Sequence, residues 1–232
     1  MNLLANLKLL LISLLPALIL LGLHRSSSDL RKKTNPLVAL SCFFLGMVSG
    51  AVAFFVFEGM SCLPGLQVLD NPLILPINLR VQISLIIIGP WEELLKIAPI
   101  VFLYTSKELP LTPVDAIIDA ASAGLGFGAV ENWYAMFNTG SADFGRMFVV
   151  PFIHMLLSGI VGRGLAISLE KKSTLPLIAG VLEAIVVHGF YDTAQMGGTL
   201  LHYIFLPVVL VLYYLFTKDL HRHARLSSLH SR

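Results

Sequence analysis

Long apolar stretches alternate with short polar segments along the whole chain. Seven of these stretches have about the 20 residues that a helix needs to cross the hydrocarbon core of a bilayer. They predict an all-α fold, a polytopic transmembrane helical bundle of about seven spans. The predicted spans are 3–23, 36–57, 81–104, 114–138, 146–168, 175–196 and 199–217.

The composition favours a membrane domain over a soluble one. Hydrophobic residues make up 56% of the chain and charged residues 13%, whereas soluble domains carry roughly 25% charged residues. We therefore expect one integral membrane domain over residues 1–232, surrounded by the lipid bilayer. The net charge of +2 and the lack of a basic stripe with interleaved aromatic residues argue against nucleic acid as a partner. Cys42 and Cys62 form no metal or disulfide pattern, so we expect free thiols.

The distribution of lysine and arginine predicts the orientation of the chain. With seven spans, eleven of these bases fall on one side of the membrane, in segments 24–35, 105–113, 169–174 and the tail after residue 217. The opposite segments hold only Arg80 and Arg146, both at the edges of spans. Because basic loops tend to stay in the cytoplasm, we predict that the N-terminus lies outside and that the C-terminus is cytoplasmic.

Glycines recur at a spacing that suits contacts between helices. Gly46 precedes Gly50 by four residues, and Gly124 precedes Gly128 by four residues. Pairs at this spacing lie on one helix face and let two helices approach closely. We interpret both pairs as packing positions of the bundle.

Polar and ionisable residues inside the apolar spans are the main functional candidates. An ionisable group at membrane depth costs roughly 2.5–3.5 kcal/mol on insertion scales, so it is rare unless it has a function. In the predicted orientation most of these groups lie roughly 6–18 Å below the outer surface, at 1.5 Å per helical residue. Four spans therefore present polar groups to one layer in the outer half of the bilayer, while Arg163 lies toward the inner end of its span. The candidates, span by span, are Glu92, Glu93 and Lys96; Glu131 and Asn132; His154 and Arg163; Glu183, His188 and Asp192.

The spacing of these residues indicates which of them share a helix face. His188 and Asp192 are four residues apart and lie on one face, so both could bind one metal ion, or the carboxylate could orient the imidazole. Glu92 and Lys96 have the same spacing, while Glu93 is rotated by about 100°. One glutamate can therefore pair with Lys96 while the other faces a different partner. A purely structural ion pair is the alternative for this set.

The order of these motifs resembles that of the PrsW family of intramembrane proteases. EELLK (92–96) is followed by GFGAVEN (126–132), by the isolated His154 and by HGFYD (188–192). The family belongs to a superfamily with the type II CAAX prenyl endopeptidases and the bacterial Abi-type membrane proteins. The motif-bearing core is 81–196, and the flanking spans 1–57 and 199–217 carry no diagnostic residues.

The resemblance implies a helical-bundle protease that cuts a membrane protein near the extracytoplasmic side. The namesake of the family makes the first cut in a single-pass anti-sigma factor, so such a protein is one expected partner. A glutamate stands at position 131, where the CAAX branch has histidine, which makes a prenylated substrate less expected. The resemblance also implies a prokaryotic cell membrane as the location.

A metal site is the next implication of the resemblance. Glu131, His154 and His188 would supply the three protein ligands of a catalytic Zn²⁺ site, which keeps one position open. Asp192 would be a fourth ligand or would orient His188 through its other ring nitrogen. Glutamates that act as base and acid without a metal are the alternative.

The remaining motif residues would carry the chemistry of peptide hydrolysis. Glu92 or Glu93 would be the general base, and Lys96 would hold the second glutamate in place or compensate its charge. Asn132 would donate a hydrogen bond to the developing oxyanion, or it would stabilise a packing contact. Two other classes remain open, because intramembrane acids and histidines also build proton- or ion-coupled transporters, and the superfamily includes a non-catalytic membrane scaffold.

Overall fold

The predicted all-α fold is confirmed by the computed structural model of the chain. It describes residues 3–25, 34–67, 75–105, 112–141, 143–196 and 199–229, and the regular secondary structure in these ranges is helical throughout. Cys42 and Cys62 are free thiols, as expected.

Seven helices make up the described part of the chain, with the third consisting of three consecutive segments. We label them α1 to α7 in chain order. They are α1 (Leu3–Arg25), α2 (Pro36–Ser61), α3 (Ile77–Ile83, a π-helical segment Ser84–Ile88, and Gly89–Thr105), α4 (Pro113–Thr139), α5 (Phe144–Lys171), α6 (Leu175–Met196) and α7 (Thr199–Leu229).

Four of the described helices are long and apolar enough to cross a membrane. They are α2, α4, α5 and the Leu175–Gln195 part of α6. A shorter apolar helix, Leu7–Gly22, lies within α1. The chain is thus a membrane protein with several candidate spans, while the count of seven spans and the orientation stay predictions.

Local capping fixes where α2 and α4 begin and where α4 ends. The Asn35 side chain caps α2, and Pro36 occupies the first turn, where its missing N–H is no loss. Thr112 and Asp115 form a reciprocal capping box at the start of α4. Gly140 ends α4 with φ of 67°, a left-handed conformation that favours glycine. The short turn after it makes α4 and α5 antiparallel neighbours.

The central helix of the bundle is α4, whose membrane-length segment is 94% buried. A Cβ atom added to Gly46 of α2 would lie 1.9 Å from the Ala123 carbonyl oxygen of α4. One added to Gly124 would lie 2.2 Å from the His154 carbonyl oxygen of α5. Only glycine allows backbones to approach this closely, so the predicted packing role of these glycines is confirmed. The second contact brings α5 against α4 at the level of His154.

The π-helical segment of α3 lies one turn before the glutamate pair. Pro90 follows it after Gly89, and a proline lacks an N–H and crowds the carbonyl group four residues earlier. A wider helical turn accommodates both effects. The segment also packs closely on α6, because a Cβ atom added to Gly189 would lie 2.4 Å from Leu85. This approach of α3 and α6 positions the residues described next.

Candidate active site

The predicted polar residues of four helices meet inside the bundle. Glu93 Oε1 accepts hydrogen bonds from Lys96 Nζ at 2.7 Å and from His188 Nδ1 at 2.6 Å. The Lys96 and Glu93 side chains are each only 1% exposed. Glu92 Oε2 lies farther from the ammonium group, at 3.9 Å. Glu93 is therefore the glutamate that pairs with Lys96, and it also ties α3 to α6.

His154 connects α3 with α4 through both of its ring nitrogens. Its Nδ1 lies 2.8 Å from Lys96 Nζ, and its Nε2 lies 2.6 Å from Glu131 Oε2. Because an ammonium group only donates and a carboxylate accepts, the proton sits on Nε2 in this arrangement. The Phe127 ring lies beside both groups, with Lys96 Nζ 4.5 Å from its centroid, a cation–π contact.

Arg146 is a member of the site that the motif analysis missed. Its Nη2 donates a hydrogen bond of 2.7 Å to Glu131 Oε1, so each oxygen of the Glu131 carboxylate has its own partner. Sequence reasoning counted Arg146 only as one of two bases on the sparsely charged side. A base at the edge of a span, on the side of the membrane where bases are otherwise rare, was the signal that could have identified Arg146 as a site residue.

Glu92, His154 and His188 form the group that could hold a metal ion within the described part of the chain. One ligand atom from each lies within 4.8 Å of the others. His188 Nδ1 is used by Glu93, so Nε2 remains, at 3.5 Å from both Glu92 Oε2 and Asp192 Oδ1. Ligand atoms at tetrahedral zinc, with bonds of 2.0–2.2 Å, are about 3.4 Å apart. The described residues offer no hydrogen-bond partner to the buried Glu92 Oε2.

This donor set fits a catalytic metal site. Two imidazoles and one carboxylate are a common ligand set of hydrolytic zinc enzymes, and a carboxylate on the second nitrogen of a ligand histidine is a frequent support. The structure groups Glu92 with the two histidines, while Glu131 is hydrogen-bonded to His154 and Arg146. The ligand role predicted for Glu131 stays a prediction. A metal bound through His154 would replace one of its two present hydrogen bonds.

Asn132 lies beside the cluster and links two helices. Its side-chain Nδ2 donates to the Met147 carbonyl oxygen at 3.1 Å, in the first turn of α5. This bond holds the start of α5 against α4 next to Glu131. The amide nitrogen carries two N–H donors, of which this backbone group uses one, and the predicted oxyanion role stays a prediction.

Arg163 and Glu183, which also stood among the polar candidates, lie apart from the cluster. Arg163 Nη2 donates to Glu183 Oε2 at 2.6 Å, and its Nη1 lies 3.6 Å from Asp219 Oδ2 of α7. These contacts join α5, α6 and α7 two turns or more from His154 along α5. We regard the pair as structural.

A cavity of about 440 Å³ opens onto the cluster between α2, α3 and α4; we call it the α2–α4 cavity. Glu92 and Glu131 line it, with side chains 12% and 31% exposed. Glu58 and Tyr134 also line it, and its other lining residues are apolar, such as Phe54, Phe57 and Val130. Two carboxylates of the cluster are therefore reachable from an apolar cavity.

Comparison with known proteins agrees with this geometry. Residues 34–216 match the family described as PrsW family intramembrane metalloprotease. Searches among curated proteins and among solved structures gave no match. The matched region contains every residue of the cluster, from Glu92 to Asp192, and most of the chain. The chain therefore belongs to the PrsW family of intramembrane metalloproteases, and so to the peptidases that act within a membrane.

Proposed function

We propose that the chain hydrolyses a peptide bond of a single-pass membrane protein on the extracytoplasmic side of a prokaryotic cell membrane, with a bound Zn²⁺ ion. The observation that carries this proposal is the grouping of Glu92, His154 and His188 within 4.8 Å of one another beside an apolar cavity. An anti-sigma factor is one candidate substrate, because the namesake of the family cuts such a protein.

Three side chains would hold the metal in this proposal. They are Glu92, His154 and His188, with Asp192 Oδ1 beside His188 Nε2 at 3.5 Å as a fourth candidate. Bound there, zinc would act as a Lewis acid that polarises the peptide carbonyl group and makes a bound water more acidic. Glu93 accepts from His188 Nδ1, which fixes the ring so that Nε2 faces Glu92 and Asp192. The positive charge of Lys96 compensates the negative charge of Glu93. This ion pair allows the Glu93 carboxylate that supports His188 to stay ionised in the interior.

Glu131 is the carboxylate that we assign to proton transfer. It lines the same cavity as Glu92, and its two oxygens, held by Arg146 and His154, keep free lone pairs. The water oxygen bonds to the carbonyl carbon, Glu131 takes a water proton as general base, and the proton passes to the leaving nitrogen as the C–N bond breaks. The sequence had suggested Glu92 or Glu93 as the general base and Glu131 as a metal ligand, whereas this proposal makes Glu131 the base and Glu92 a ligand.

The lining of the α2–α4 cavity favours a polypeptide substrate that lies within a membrane. Its lining is mostly apolar, which suits the side chains of a transmembrane segment. The carboxylates at its inner wall would meet a peptide bond only where that segment is unwound, because a helix keeps its carbonyl groups bonded internally. The bond that is cut would therefore lie near the end of a substrate helix.

The test uses the purified chain in liposomes with a library of single-pass membrane proteins. New N-termini of the library members are identified by mass spectrometry. We expect cleavage on the extracytoplasmic side, its loss with a zinc chelator, its recovery with Zn²⁺, and its loss in Glu92→Gln. Glu170→Gln is the matched control and should keep full cleavage, since Glu170 is exposed near the end of α5 and lines neither this cavity nor any part of the cluster.

Four outcomes would contradict the proposal. One is full cleavage by Glu92→Gln, and another is cleavage that does not respond to the chelator. The third is proton-driven ion flux into the same liposomes without any cleavage, which would support the transporter alternative. The fourth is a substrate cut only on the cytoplasmic side, which would also contradict the predicted orientation.

A further inference from the structure

A second cavity is lined by Arg146, the hydrogen-bond partner of the Glu131 carboxylate that lines the α2–α4 cavity. It has a volume of about 410 Å³ and is lined by α5, α6 and α7; we call it the α5–α7 cavity. Its lining includes the polar or charged residues Arg146, Tyr191, Asp143 and Gln195, and its other lining residues are mostly apolar. Because Arg146 also bonds to Glu131, this guanidinium group connects the two cavities.

Two hydrogen-bond donors on residues that line the α5–α7 cavity have no partner in the described part of the chain. They are the buried Oη of Tyr191 and the buried Nε of Arg146. Tyr191 is only 3% exposed. A buried donor without an acceptor costs free energy, so such groups are uncommon unless they serve a function. Arginine nitrogens only donate, so both groups suit one kind of ligand atom, an acceptor oxygen.

Tyr191 lies close to the candidate metal ligands as well as to the second cavity. Its ring centroid is 6.5 Å from that of His188, and it precedes Asp192 in the chain. It is within electrostatic range of Glu131, Arg146 and Asp192. A ligand in the α5–α7 cavity that accepts a hydrogen bond from Tyr191 Oη would thus lie next to the residues at which we propose hydrolysis.

We propose that the α5–α7 cavity receives the substrate polypeptide on one side of the bond that is cut, and that Tyr191 Oη and Arg146 Nε donate hydrogen bonds to its backbone carbonyl oxygens. The inference rests on the proposed function. A substrate segment that is unwound for cleavage exposes carbonyl groups, and within a membrane every such group needs a donor. The apolar wall accommodates the adjacent side chains. The substrate would then run from one cavity to the other past Glu131.

This assignment predicts that the Tyr191 hydroxyl group matters only when substrate is bound. In the free protein it has no partner to lose, so Tyr191→Phe should keep the thermal stability of the protein. Tyr104 is the matched control, because its hydroxyl group donates to Asp119 Oδ2 at 2.8 Å and it lines neither cavity. Tyr104→Phe should lower the thermal stability and leave cleavage unchanged.

The experiment measures both properties on the full chain in detergent. Thermal unfolding is followed by circular dichroism, and kcat/KM is measured with a synthetic peptide that spans the cleavage site found in the liposome library. We expect Tyr191→Phe to lose about tenfold in kcat/KM, the effect of one hydrogen bond, with an unchanged melting temperature. A fall in stability like that of Tyr104→Phe would overturn the inference, as would an unchanged kcat/KM.

A second measurement identifies the hydrogen-bonded carbonyl group. In a series of peptides, one backbone carbonyl at a time is replaced by a thiocarbonyl, a weaker acceptor. We expect one position at which this replacement slows the wild-type protein but has no further effect on Tyr191→Phe, the non-additivity of a direct contact. Additive effects at every position would overturn the inference, and so would release of a bound phospholipid by Tyr191→Phe with full activity.

The outcomes separate this inference from the proposed function. If the wild type cleaves and Glu92→Gln does not, the proposed function stands whatever Tyr191→Phe shows. If Tyr191→Phe then cleaves like the wild type, only the inference fails. If the wild type cleaves no library member, both fail together.

Discussion

Replacing Lys96 by methionine removes the positive charge at the centre of the buried cluster and keeps an unbranched side chain of similar length. Lys96 Nζ donates to Glu93 Oε1 at 2.7 Å, lies 2.8 Å from His154 Nδ1 and faces the Phe127 ring. Lys96→Met therefore tests how far this ion pair determines the stability of the bundle.

The expected size of the effect follows from the burial of the pair. Removing one partner of a buried ion pair costs about 3–5 kcal/mol, because the other charge remains in the interior. Glu93 keeps the hydrogen bond from His188 Nδ1, so we expect the lower end, about 3 kcal/mol. Lys96→Met/Glu93→Gln removes both charges, and it should be less destabilised than the sum of its single variants by about 1–3 kcal/mol.

The assay is reversible unfolding of the purified chain in mixed micelles by sodium dodecyl sulfate, followed by circular dichroism. Lys171→Met is the control, because Lys171 is exposed at the end of α5 and should change the free energy of unfolding by less than about 0.5 kcal/mol. The reasoning is refuted if the single-variant effects of Lys96→Met and Glu93→Gln add up to that of the double variant within about 0.5 kcal/mol. A loss no larger than that of the control would refute it too.

Three further predictions concern the metal, the packing and the orientation. Purified Glu92→Gln should contain less zinc, measured by mass spectrometry, than the wild type. Glu131→Gln should keep its zinc and lose turnover. The reverse zinc contents would show that Glu131, and not Glu92, is the ligand. Gly126→Ala, whose new Cβ atom would lie 1.9 Å from a backbone oxygen of α2, should lose about 3 kcal/mol of stability, while Gly59→Ala, with nothing within 4 Å, should lose none. Cys62, exposed beyond the end of α2, should react with an impermeant maleimide outside intact cells, and labelling only in inverted vesicles would contradict the predicted orientation.

The apolar pattern predicts where helices occur better than where they end. The predicted spans 36–57 and 114–138 differ by only a few residues from α2 and α4. The last predicted span stopped at residue 217, where the apolar run ends, but α7 continues to Leu229. Leu220 and Ala224 of this extension are buried, because an amphipathic helix needs only one apolar face. A hydropathy pattern therefore predicts which residues can lie inside a bilayer, and it does not predict where the helix ends.

The division of roles between the two adjacent glutamates could not follow from spacing alone. Glu93 and Glu92 precede Lys96 by three and four residues, and both spacings bring side chains together on a helix. What selects Glu93 is a residue of another helix, since His188 Nδ1 donates to the same oxygen as Lys96. This contact depends on the close approach of α6 to the π-helical segment of α3. The periodic pattern of apolar residues does not predict where such a segment occurs.

The pairing of Arg146 with Glu131, by contrast, was within reach of the sequence. In an antiparallel helix pair, residues at similar distances from the connecting turn face one another, and Gly140 marks that turn between α4 and α5. Glu131 and Arg146 are separated by 15 residues, and so are Asn132 and Met147, which are also hydrogen-bonded. Counted from Gly140, the first pair lies nine residues before and six after it, and the second lies eight before and seven after it, so both contacts join residues at similar distances from the turn. An acidic residue and a basic residue at similar distances from such a turn, both within apolar spans, predict an ion pair, and Arg146 is therefore grouped with the polar cluster and not with the bases that set the orientation.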